Sequence, residues 1–238
     1  MKNVVEVRNL TKNFGKLKAV NSLSLKIKEG ELFGLIGPNG SGKTTTVKLL
    51  TGQLKPTRGN AKVLGINVLK SPIKVREVVG IIPEQETPPS FLTAEEYLYF
   101  VAKIRKLENS VVMCDGWFEF LDFSDQKNVL CKDLSRGTRQ KLMFAQAFLH
   151  EPKLAFIDEP LINLDPIIQR KVKDFLKDYV KKGNTIFFST HVLEIAEEIC
   201  TRIGVLDNGK LIHEGSIDKL KKKRQHLEDF FLKLMKEA

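Results

Sequence analysis

The sequence predicts an α/β protein with a parallel core, an N-terminal antiparallel β subdomain and an inserted α-helical subdomain. Three observations predict this: alternating apolar residues near the N-terminus, short fully apolar runs further along, and helical periodicity between them. The 238 residues are 42% hydrophobic and 29% charged, with 16 Gly and 9 Pro. This composition is typical of a globular chain and excludes a disordered or collagen-like one.

The predicted strands begin at the N-terminus. Segments 4–7 and 23–27 alternate apolar and polar residues with the period of two that half-buried strands show. Segment 32–36 is apolar throughout and is followed by a glycine, which favours a strand covered on both faces. Residues 43–50 then read as a helix.

A helix-rich middle is predicted at about residues 84–150. It includes a capping-box sequence at Thr93 and Glu96, because Ser or Thr followed three residues later by Glu is typical of a helix start. The apolar residues that follow at helical spacing are Tyr97, Phe100, Val101 and Ile104. A further helix is predicted at 135–148.

Buried strands are predicted again beyond the helical middle. Segments 154–157 and 185–188 are short apolar runs, and segment 167–179 between them has helical periodicity. A strand–helix–strand order is typical of a parallel sheet. We therefore expect the middle helices to be an insertion into a parallel core.

Cysteine usage and hydropathy limit the compartment in which the chain works. The three cysteines, Cys114, Cys131 and Cys200, are scattered and support neither a disulfide framework nor a zinc site, which fits a reducing compartment. No run approaches the roughly 18 apolar residues of a membrane span, and the first residues lack a signal-peptide core. We expect a chain that does not cross a membrane by itself.

The net charge of +10 favours an anionic partner. Three kinds of partner carry enough negative charge: a nucleotide, a nucleic acid or an anionic membrane surface. Composition alone does not distinguish them.

A phosphate-binding loop is predicted at residues 37–44, which fit the pattern GxxxxGK[ST]. Glycines let backbone N–H groups converge on phosphate oxygens, and the start of the following helix adds its dipole. Lys43 supplies a charge for the outer phosphates, and the Thr44 hydroxyl is a candidate Mg²⁺ ligand. A glycine-rich turn that binds nothing is the alternative, but the flanking strand and helix are the context that phosphate binding needs.

Two carboxylates follow the apolar strand 154–157. Because side chains alternate along a strand, Asp158 and Glu159 are expected to point in different directions. One would hold Mg²⁺ and the other would orient or deprotonate an attacking water. A solvated acidic strand end is the alternative, which the nearby phosphate loop disfavours.

A histidine follows the next apolar strand. His191 comes after strand 185–188, at the edge where parallel sheets bind their ligands, which predicts a contact with the terminal phosphate. A helix-capping or core histidine is the alternative. The remaining histidines lack such a context and are expected to be structural: His150, His213 and His226.

Together these segments resemble the ATP-binding cassette (ABC) family, with an exporter-like signature and tail, over nearly the whole chain. Segments 37–45, 134–140, 156–160 and 163–166 are similar to the Walker A loop, the signature, Walker B and the D-loop, in the order of the family. The resemblance implies a P-loop NTPase core and a switch role for His191. GTPases and small-molecule kinases lack the signature segment.

The resemblance also implies roles for individual residues. Catalytic roles fall on Lys43, Glu159 and His191. The resemblance implies that Phe14 stacks on adenine; the alternative is that Phe14 is one more core phenylalanine. The other implied nucleotide contacts are Gly37, Pro38, Asn39, Gly40, Ser41, Gly42, Lys43, Thr44 and Thr45. Contacts with a nucleotide held by another cassette fall on Ser135, Arg136 and Gly137, and the D-loop residue is Asp165.

Two segments depart from the family pattern. In the signature, Arg136 replaces a glycine and Thr138 replaces a glutamine, so Arg136 either faces a phosphate or points to solvent. In the Q-loop, Glu84 occupies the place of the glutamine after the proline, and Gln85 comes next. The implied Mg²⁺ ligands are therefore Thr44 and Asp158, with either Glu84 or Gln85.

The resemblance implies the ATP-hydrolysing subunit of a transporter. A complete site would need two cassettes head to tail, as a homodimer or heterodimer, with ATP and Mg²⁺ between them. A separate integral membrane permease would dock around residues 83–104, at the cytoplasmic face of the membrane. The exposed residues expected there are Phe91, Leu92 and Tyr97, with packing against the chain's own core as the alternative.

The remaining expectations concern domain organisation and the runner-up function. We expect one domain over 1–238, with a C-terminal amphipathic tail at about 217–238 whose apolar residues, Leu227, Phe230, Phe231 and Leu234, dock on the core. The basic run 219–224 is either a solvated helix face or a contact with anionic lipid. The alternative function is a soluble cassette ATPase acting on nucleic acid or ribosomes; it is disfavoured because neither a second cassette nor a coiled-coil insertion is present.

Overall fold

The computed structural model describes residues 2–85, 88–222 and 226–237. The strands are β1 (Asn3–Phe14), β2 (Leu17–Lys28), β3 (Leu32–Ile36), β4 (Arg58–Val63), β5 (Ile66–Asn67), β6 (Gly80–Ile82), β7 (Leu154–Asp158), β8 (Thr185–Thr190), β9 (Arg202–Asp207) and β10 (Lys210–Ser216). The helices are α1 (Lys43–Leu50), α2 (Pro72–Val78), α3 (Ala94–Ile104), α4 (Ser110–Phe120), α5 (Arg136–Phe148), α6 (Pro166–Lys181), α7 (Leu193–Ile199), α8 (Ile217–Lys222) and α9 (Leu227–Glu237). A 3-10 turn covers Ser124–Gln126.

The strands form two sheets. The first is antiparallel, with the order β2-β1-β4-β5. The second has the order β10-β9-β3-β8-β7-β6 and is parallel except for the β9–β10 pair. This confirms the predicted fold class. Because β3, β8 and β7 are neighbours, the segments that follow them meet at one edge of the sheet.

Helices α3, α4 and α5 lie between β6 and β7 in the chain. The predicted capping box at the start of α3 is confirmed: Thr93 Oγ1 accepts a hydrogen bond from the Glu96 N–H at 3.2 Å, and the Glu96 carboxylate accepts one from the Thr93 N–H at 2.9 Å. Its fully buried residues are Ala94, Leu98 and Ala102, whereas Phe100 and Ile104 point outward. Small residues let α3 approach α5 closely, so the largest apolar residues of α3 do not mark its buried face.

Two hydrophobic cores hold the layers together. One lies between the helices and the parallel sheet and contains an aromatic cluster of Trp117, Phe144, Phe148 and Phe175 with ring centroids 4.7–6.3 Å apart. The other lies between the two sheets. The three cysteines are free and buried, as the absence of a disulfide framework predicts.

The C-terminal helix α9 packs on the chain's own core, as predicted. Leu227 is buried, and Phe230, Phe231 and Leu234 are partly buried against the helical core. The ring of His213 meets that of Phe230 edge-on at 4.7 Å. The basic run 219–224 extends beyond the described residues, so its two predicted readings are not distinguished. Within residues 2–85, 88–222 and 226–237, no helix has the length and apolar character needed to span a membrane.

Candidate nucleotide-binding site

A cleft of about 740 Å³ lies at the edge of the parallel sheet where β3, β7 and β8 end. It brings together most residues that the sequence predicts as a site: Phe14, Asn39, Gly40, Gly42, Lys43, Thr44, Thr45, Glu84, Gln85, Asp158, Glu159 and His191. Gly37, Pro38 and Ser41 belong to the same loop but do not line the cleft. The predicted signature residues and Asp165 lie outside it.

The loop between β3 and α1 depends on glycine at two positions. A Cβ added at Gly37 would lie 2.2 Å from the carbonyl oxygen of Leu206, and one added at Gly42 would lie 2.2 Å from that of Ala19. Gly42 also has a φ of +106°, which residues with a Cβ rarely adopt. No side chain in the described ranges caps α1, so the N–H groups of its first turn face the loop and suit an anion.

Lys43 lies folded against this loop. Its Nζ donates hydrogen bonds to the carbonyl oxygens of Gly37 at 2.8 Å and Pro38 at 3.0 Å. Burial lowers the pKa of Lys43, while the carboxylates of Glu159 and Asp158 act in the opposite direction. An incoming phosphate would meet a partly buried ammonium group that is already in place.

Asp158 has the features of a cation ligand. Its Oδ1 accepts a hydrogen bond from Ser189 Oγ at 2.5 Å, whereas its Oδ2 is buried and has no hydrogen-bond partner among the described residues. Burial raises the pKa of Asp158, and hydrogen bonds from Ser189 and Thr44 oppose that rise. A buried carboxylate oxygen without a partner is rare unless a ligand completes it.

The oxygen atoms around Asp158 fit Mg²⁺. Thr44 Oγ1 donates a hydrogen bond to Glu84 Oε2 at 3.2 Å, which brings Glu84 into contact with the phosphate loop. Gln85 also lines the cleft. Hydroxyl and carboxylate oxygens are the ligands that Mg²⁺ prefers. In the described part of the chain, no three His, Cys, Asp or Glu side chains form a metal site alone, so further oxygens would come from phosphate or water.

Glu159 follows the end of β7 and has hydrogen-bond partners different from those of Asp158. Its carboxylate accepts hydrogen bonds from the Thr190 hydroxyl and from the His191 backbone N–H, both at 2.8 Å. The Nδ1 atom of His191 lies 2.6 Å from Glu159 Oε1. Glu159 has a φ of +49°, in the left-handed region. These contacts hold one carboxylate in a single orientation at the mouth of the cleft.

Phe14 is not one more core phenylalanine. Its ring is 48% exposed, lines the cleft and lies 5.0 Å from Lys12 Nζ. An exposed aromatic face beside a phosphate loop suits base stacking. Stacking on adenine stays a prediction.

The signature segment begins α5. Ser135 Oγ accepts a hydrogen bond from the Thr138 N–H at 3.0 Å and so caps the helix. A Cβ added at Gly137 would lie 2.7 Å from the carbonyl oxygen of Asn163, which explains glycine there. Arg136 is exposed.

The D-loop residue Asp165 caps α6. Its Oδ1 accepts hydrogen bonds from the N–H groups of Ile168 at 3.0 Å and Ile167 at 3.1 Å. The bond from Ile168 is the main reason that the pKa of Asp165 is lowered. Asp165 therefore has a structural role, and its D-loop role stays a prediction.

Two glutamines support the site without having been predicted from the sequence. Gln140 is buried in α5, and its Nε2 donates a hydrogen bond to the Pro160 carbonyl at 3.0 Å. Gln169 of α6 donates to the carbonyls of Leu164 at 3.0 Å and Leu161 at 3.2 Å. Both amides hold the turn that follows Glu159. The sequence feature that could have identified these two glutamines is a polar residue on an otherwise apolar helix face.

The predicted structural histidines lie outside the cleft. Both ring nitrogens of His150 are buried without a hydrogen-bond partner among the described residues, and burial lowers its pKa to about 4. His213 packs on Phe230.

A phosphate loop and a carboxylate pair at the carboxyl edge of a parallel sheet define a P-loop nucleotide hydrolase. The sequence profile of the ABC transporter family matches residues 20–162. The chain therefore belongs to the ABC transporter family, as one of its ATPase cassettes.

Known proteins of this kind resemble the chain over most of its length. The bacitracin transport ATP-binding protein BcrA of Bacillus licheniformis is 35% identical over 230 residues, which is 96% of this chain and 75% of that protein. A solved structure of an ATP-binding subunit of an ABC transporter has a TM-score of 0.90 and 28% identity, covering 98% of this chain and 99% of the other. A dimeric cassette in a post-hydrolysis state with ADP and Pi has a TM-score of 0.83 and 25% identity, covering 90% and 98%.

Proposed function

We propose that this ABC transporter ATP-binding subunit powers export by ATP-driven, head-to-tail dimerisation of two cassettes on a separate membrane permease. The main support for this proposal is that the phosphate loop and Glu159 line one cleft, whereas Ser135, Arg136 and Gly137 lie outside it. One chain therefore contains both the phosphate loop and the signature residues, but the two sets do not meet in one cleft.

Hydrolysis follows from the contents of the cleft. The N–H groups of the loop and Lys43 bind the triphosphate, and Phe14 stacks on the base. Thr44, Asp158 and Glu84 would hold Mg²⁺, which neutralises phosphate charge. Glu159 orients and deprotonates the attacking water, and His191 positions Glu159 while facing the terminal phosphate.

Dimerisation follows from charge. ATP carries several negative charges, and the N-terminus of α5 supplies N–H donors from a second cassette. Closure is favourable while the terminal phosphate is present, so hydrolysis lets the halves separate. The similar cassette that is dimeric with ADP and Pi supports the association of two cassettes.

Docking on a permease is supported by exposed apolar residues in the predicted region. Phe91 is 76% exposed, Phe100 is 52% exposed and Ile104 is 62% exposed. Tyr97 instead packs against the helical core, with its hydroxyl 4.0 Å from Met143 Sδ, and Leu92 is partly buried. The docking surface therefore consists of Phe91, Phe100 and Ile104. Attachment there would place the chain at the cytoplasmic face of the membrane. A transport role is supported by the similarity to the bacitracin transport protein, and export is inferred from the exporter-like signature and tail.

The Glu159→Gln variant tests the cycle. It keeps the hydrogen-bonding shape of the side chain but cannot take a proton, so we expect a stable dimer with Mg-ATP in gel filtration and an ATPase rate at least about 100-fold lower. Adding Lys43→Ala to Glu159→Gln should return the protein to monomer, because nucleotide binding is weakened. Monomer alone with Glu159→Gln and saturating Mg-ATP would contradict the proposal.

A further inference from the structure

The positive charge of this chain is concentrated in its N-terminal third. Residues 1–76 contain 15 Lys and Arg but 3 Asp and Glu, a net charge of +12, whereas residues 77–238 have a net charge of −2. The nucleotide cleft uses Lys43 from this set. Such an asymmetry indicates an anionic partner in addition to the nucleotide.

Five of these charges share the outer face of the antiparallel sheet, which we call the basic face. Alternate residues of β2 and β4, such as Leu25 and Val63, point into the core, so their neighbours point to solvent. The basic face consists of Arg8, Lys26, Lys28, Arg58 and Lys62, all of them exposed.

The pairing of the strands places these charges close together. Lys26 of β2 and Lys62 of β4 both pair with Glu6 of β1, so the three residues form one row across the sheet. Because β1 lies between β2 and β4, the backbones of the two lysines are two strand spacings apart, about 10 Å, with Glu6 between them. Glu6 is the one acidic residue of β1, β2 and β4.

Most of the basic face lacks an acidic partner among the described residues. Glu6 pairs with Arg8 at 3.6 Å. Across the described ranges, no carboxylate lies within 4.0 Å of the side-chain nitrogens of Lys26, Lys28, Arg58 or Lys62. These side chains are free to meet phosphate groups from outside.

The shape of the basic face favours a lipid surface over nucleic acid. Single strands bind on exposed aromatic rings, but the aromatic residues of 1–76 are Phe14, which lines the nucleotide cleft, and the buried Phe33. Reading duplex bases requires an element that enters a groove, which a broad sheet face does not do. A plane of lipid phosphates matches a plane of cations.

We infer that the basic face binds the anionic phospholipids of the membrane in which the permease lies, an inference that rests on the proposed function. Each basic residue near an anionic bilayer strengthens binding about fivefold. The contact would hold the N-terminal sheet against the membrane through charge alone.

Vesicle co-sedimentation of the full chain tests this inference. We expect the chain to bind vesicles of phosphatidylcholine with about 30% phosphatidylglycerol at low salt, but not phosphatidylcholine alone. The variant Lys26→Gln/Lys28→Gln/Lys62→Gln should bind about 100-fold more weakly. The matched control changes the same number of exposed lysines elsewhere to Gln: Lys132, Lys171 and Lys182.

Three outcomes would overturn the inference. Both triple variants lose vesicle binding equally, or the Lys26/Lys28/Lys62 variant binds vesicles as well as the unchanged chain. The third is that the chain binds duplex DNA more tightly than the anionic vesicles at the same salt. Both variants should keep the ATPase rate of the unchanged chain in solution, which shows that they fold. If Glu159→Gln still dimerises while lipid binding fails, the inference alone is wrong. If Glu159→Gln stays monomeric, the proposed function fails independently of lipid.

Discussion

At the scale of single residues, Gly137 illustrates how one missing side chain shapes the site. It lies where α5 meets the turn that carries Asn163, and the atom in its way is a backbone oxygen, which cannot rotate aside. Gly116 of α4 provides a contrast, since a Cβ there would have nothing within 4 Å. The same substitution is therefore expected to have opposite effects at the two positions.

We predict that Gly137→Ala lowers the free energy of unfolding by about 1–3 kcal/mol, because overpacking forces the turn to shift. Gly116→Ala should raise it by up to about 1 kcal/mol, because alanine favours a helix over glycine. Urea denaturation measures both. An equal effect of the two substitutions would show that Asn163 does not restrict Gly137.

Residue-level prediction from sequence succeeds where the interaction is local. The two residues of the Thr93 capping box are three positions apart, and the cap of Ser135 lies within its own helix turn, so both can be identified from the pattern. The partner of Gln140 lies 20 residues away on another element, and no local pattern specifies it. The contact of Glu84 with Thr44 likewise joins segments 40 residues apart.

At the scale of elements, Gln140 connects α5 to the turn after β7. Its amide satisfies the Pro160 carbonyl inside the protein, one residue beyond Glu159. A motion of α5 would therefore be transmitted to the carboxylate proposed to activate water. Gln140 acts here as a positioning residue, since it lies outside the cleft itself.

We predict that Gln140→Met lowers kcat for ATP about tenfold with KM within about twofold, because losing one buried hydrogen bond costs about 1–1.5 kcal/mol and leaves the phosphate loop unchanged. Steady-state kinetics measures both constants. Gln53→Met is the control, because Gln53 is exposed, donates a side-chain hydrogen bond to Thr51 of the adjoining turn and lies outside the cleft. A parallel rise in KM would indicate general distortion.

The continuously apolar strands β3, β7 and β8 were predicted within two residues, whereas the alternating strands β1 and β2 extend well beyond the predicted segments 4–7 and 23–27. Helix α1 matches the predicted 43–50, and β7 and β8 extend the predicted runs by one and two residues. Strand β4, Arg58–Val63, has two buried residues and depends on pairing with β1, so its own sequence says little. Helix α3 shows the same limit of prediction, because its apolar spacing indicates a helix but not which face of the helix packs against the core.

At the scale of the whole molecule, the exposed apolar residues of the helical region have no partner within the described chain. Phe91 and Phe100 contribute little to stability because they remain in solvent. Their proposed role begins when a permease is present.

We predict that Phe91→Ser/Phe100→Ser changes the free energy of unfolding by less than about 0.5 kcal/mol and leaves the ATPase rate in solution unchanged. The variant should lose co-purification with the membrane permease. Val111→Ser/Val112→Ser removes two exposed apolar residues from α4 and should keep it. Loss in both variants, or in neither, would mean that docking does not use Phe91 and Phe100.

The order of the six-stranded sheet shows what local sequence patterns leave open. Apolar runs predict β3, β7 and β8, but not that β8 lies between the other two. The rule that open parallel sheets bind ligands at the carboxyl ends of their strands predicted the common edge, and the fold confirms it. The position of Ser135 outside its own cleft also depends on the complete arrangement of the chain.

The backbone of Glu159 is strained at the residue that carries the proposed water-activating carboxylate. A residue other than glycine in the left-handed region costs roughly 1–2 kcal/mol, and the φ of +49° places Glu159 there. Glycine would adopt this conformation without strain but would remove the carboxylate. The carboxylate contacts Thr190 and His191 at 2.6–2.8 Å, so the cost of this conformation is offset by contacts that glycine could not make.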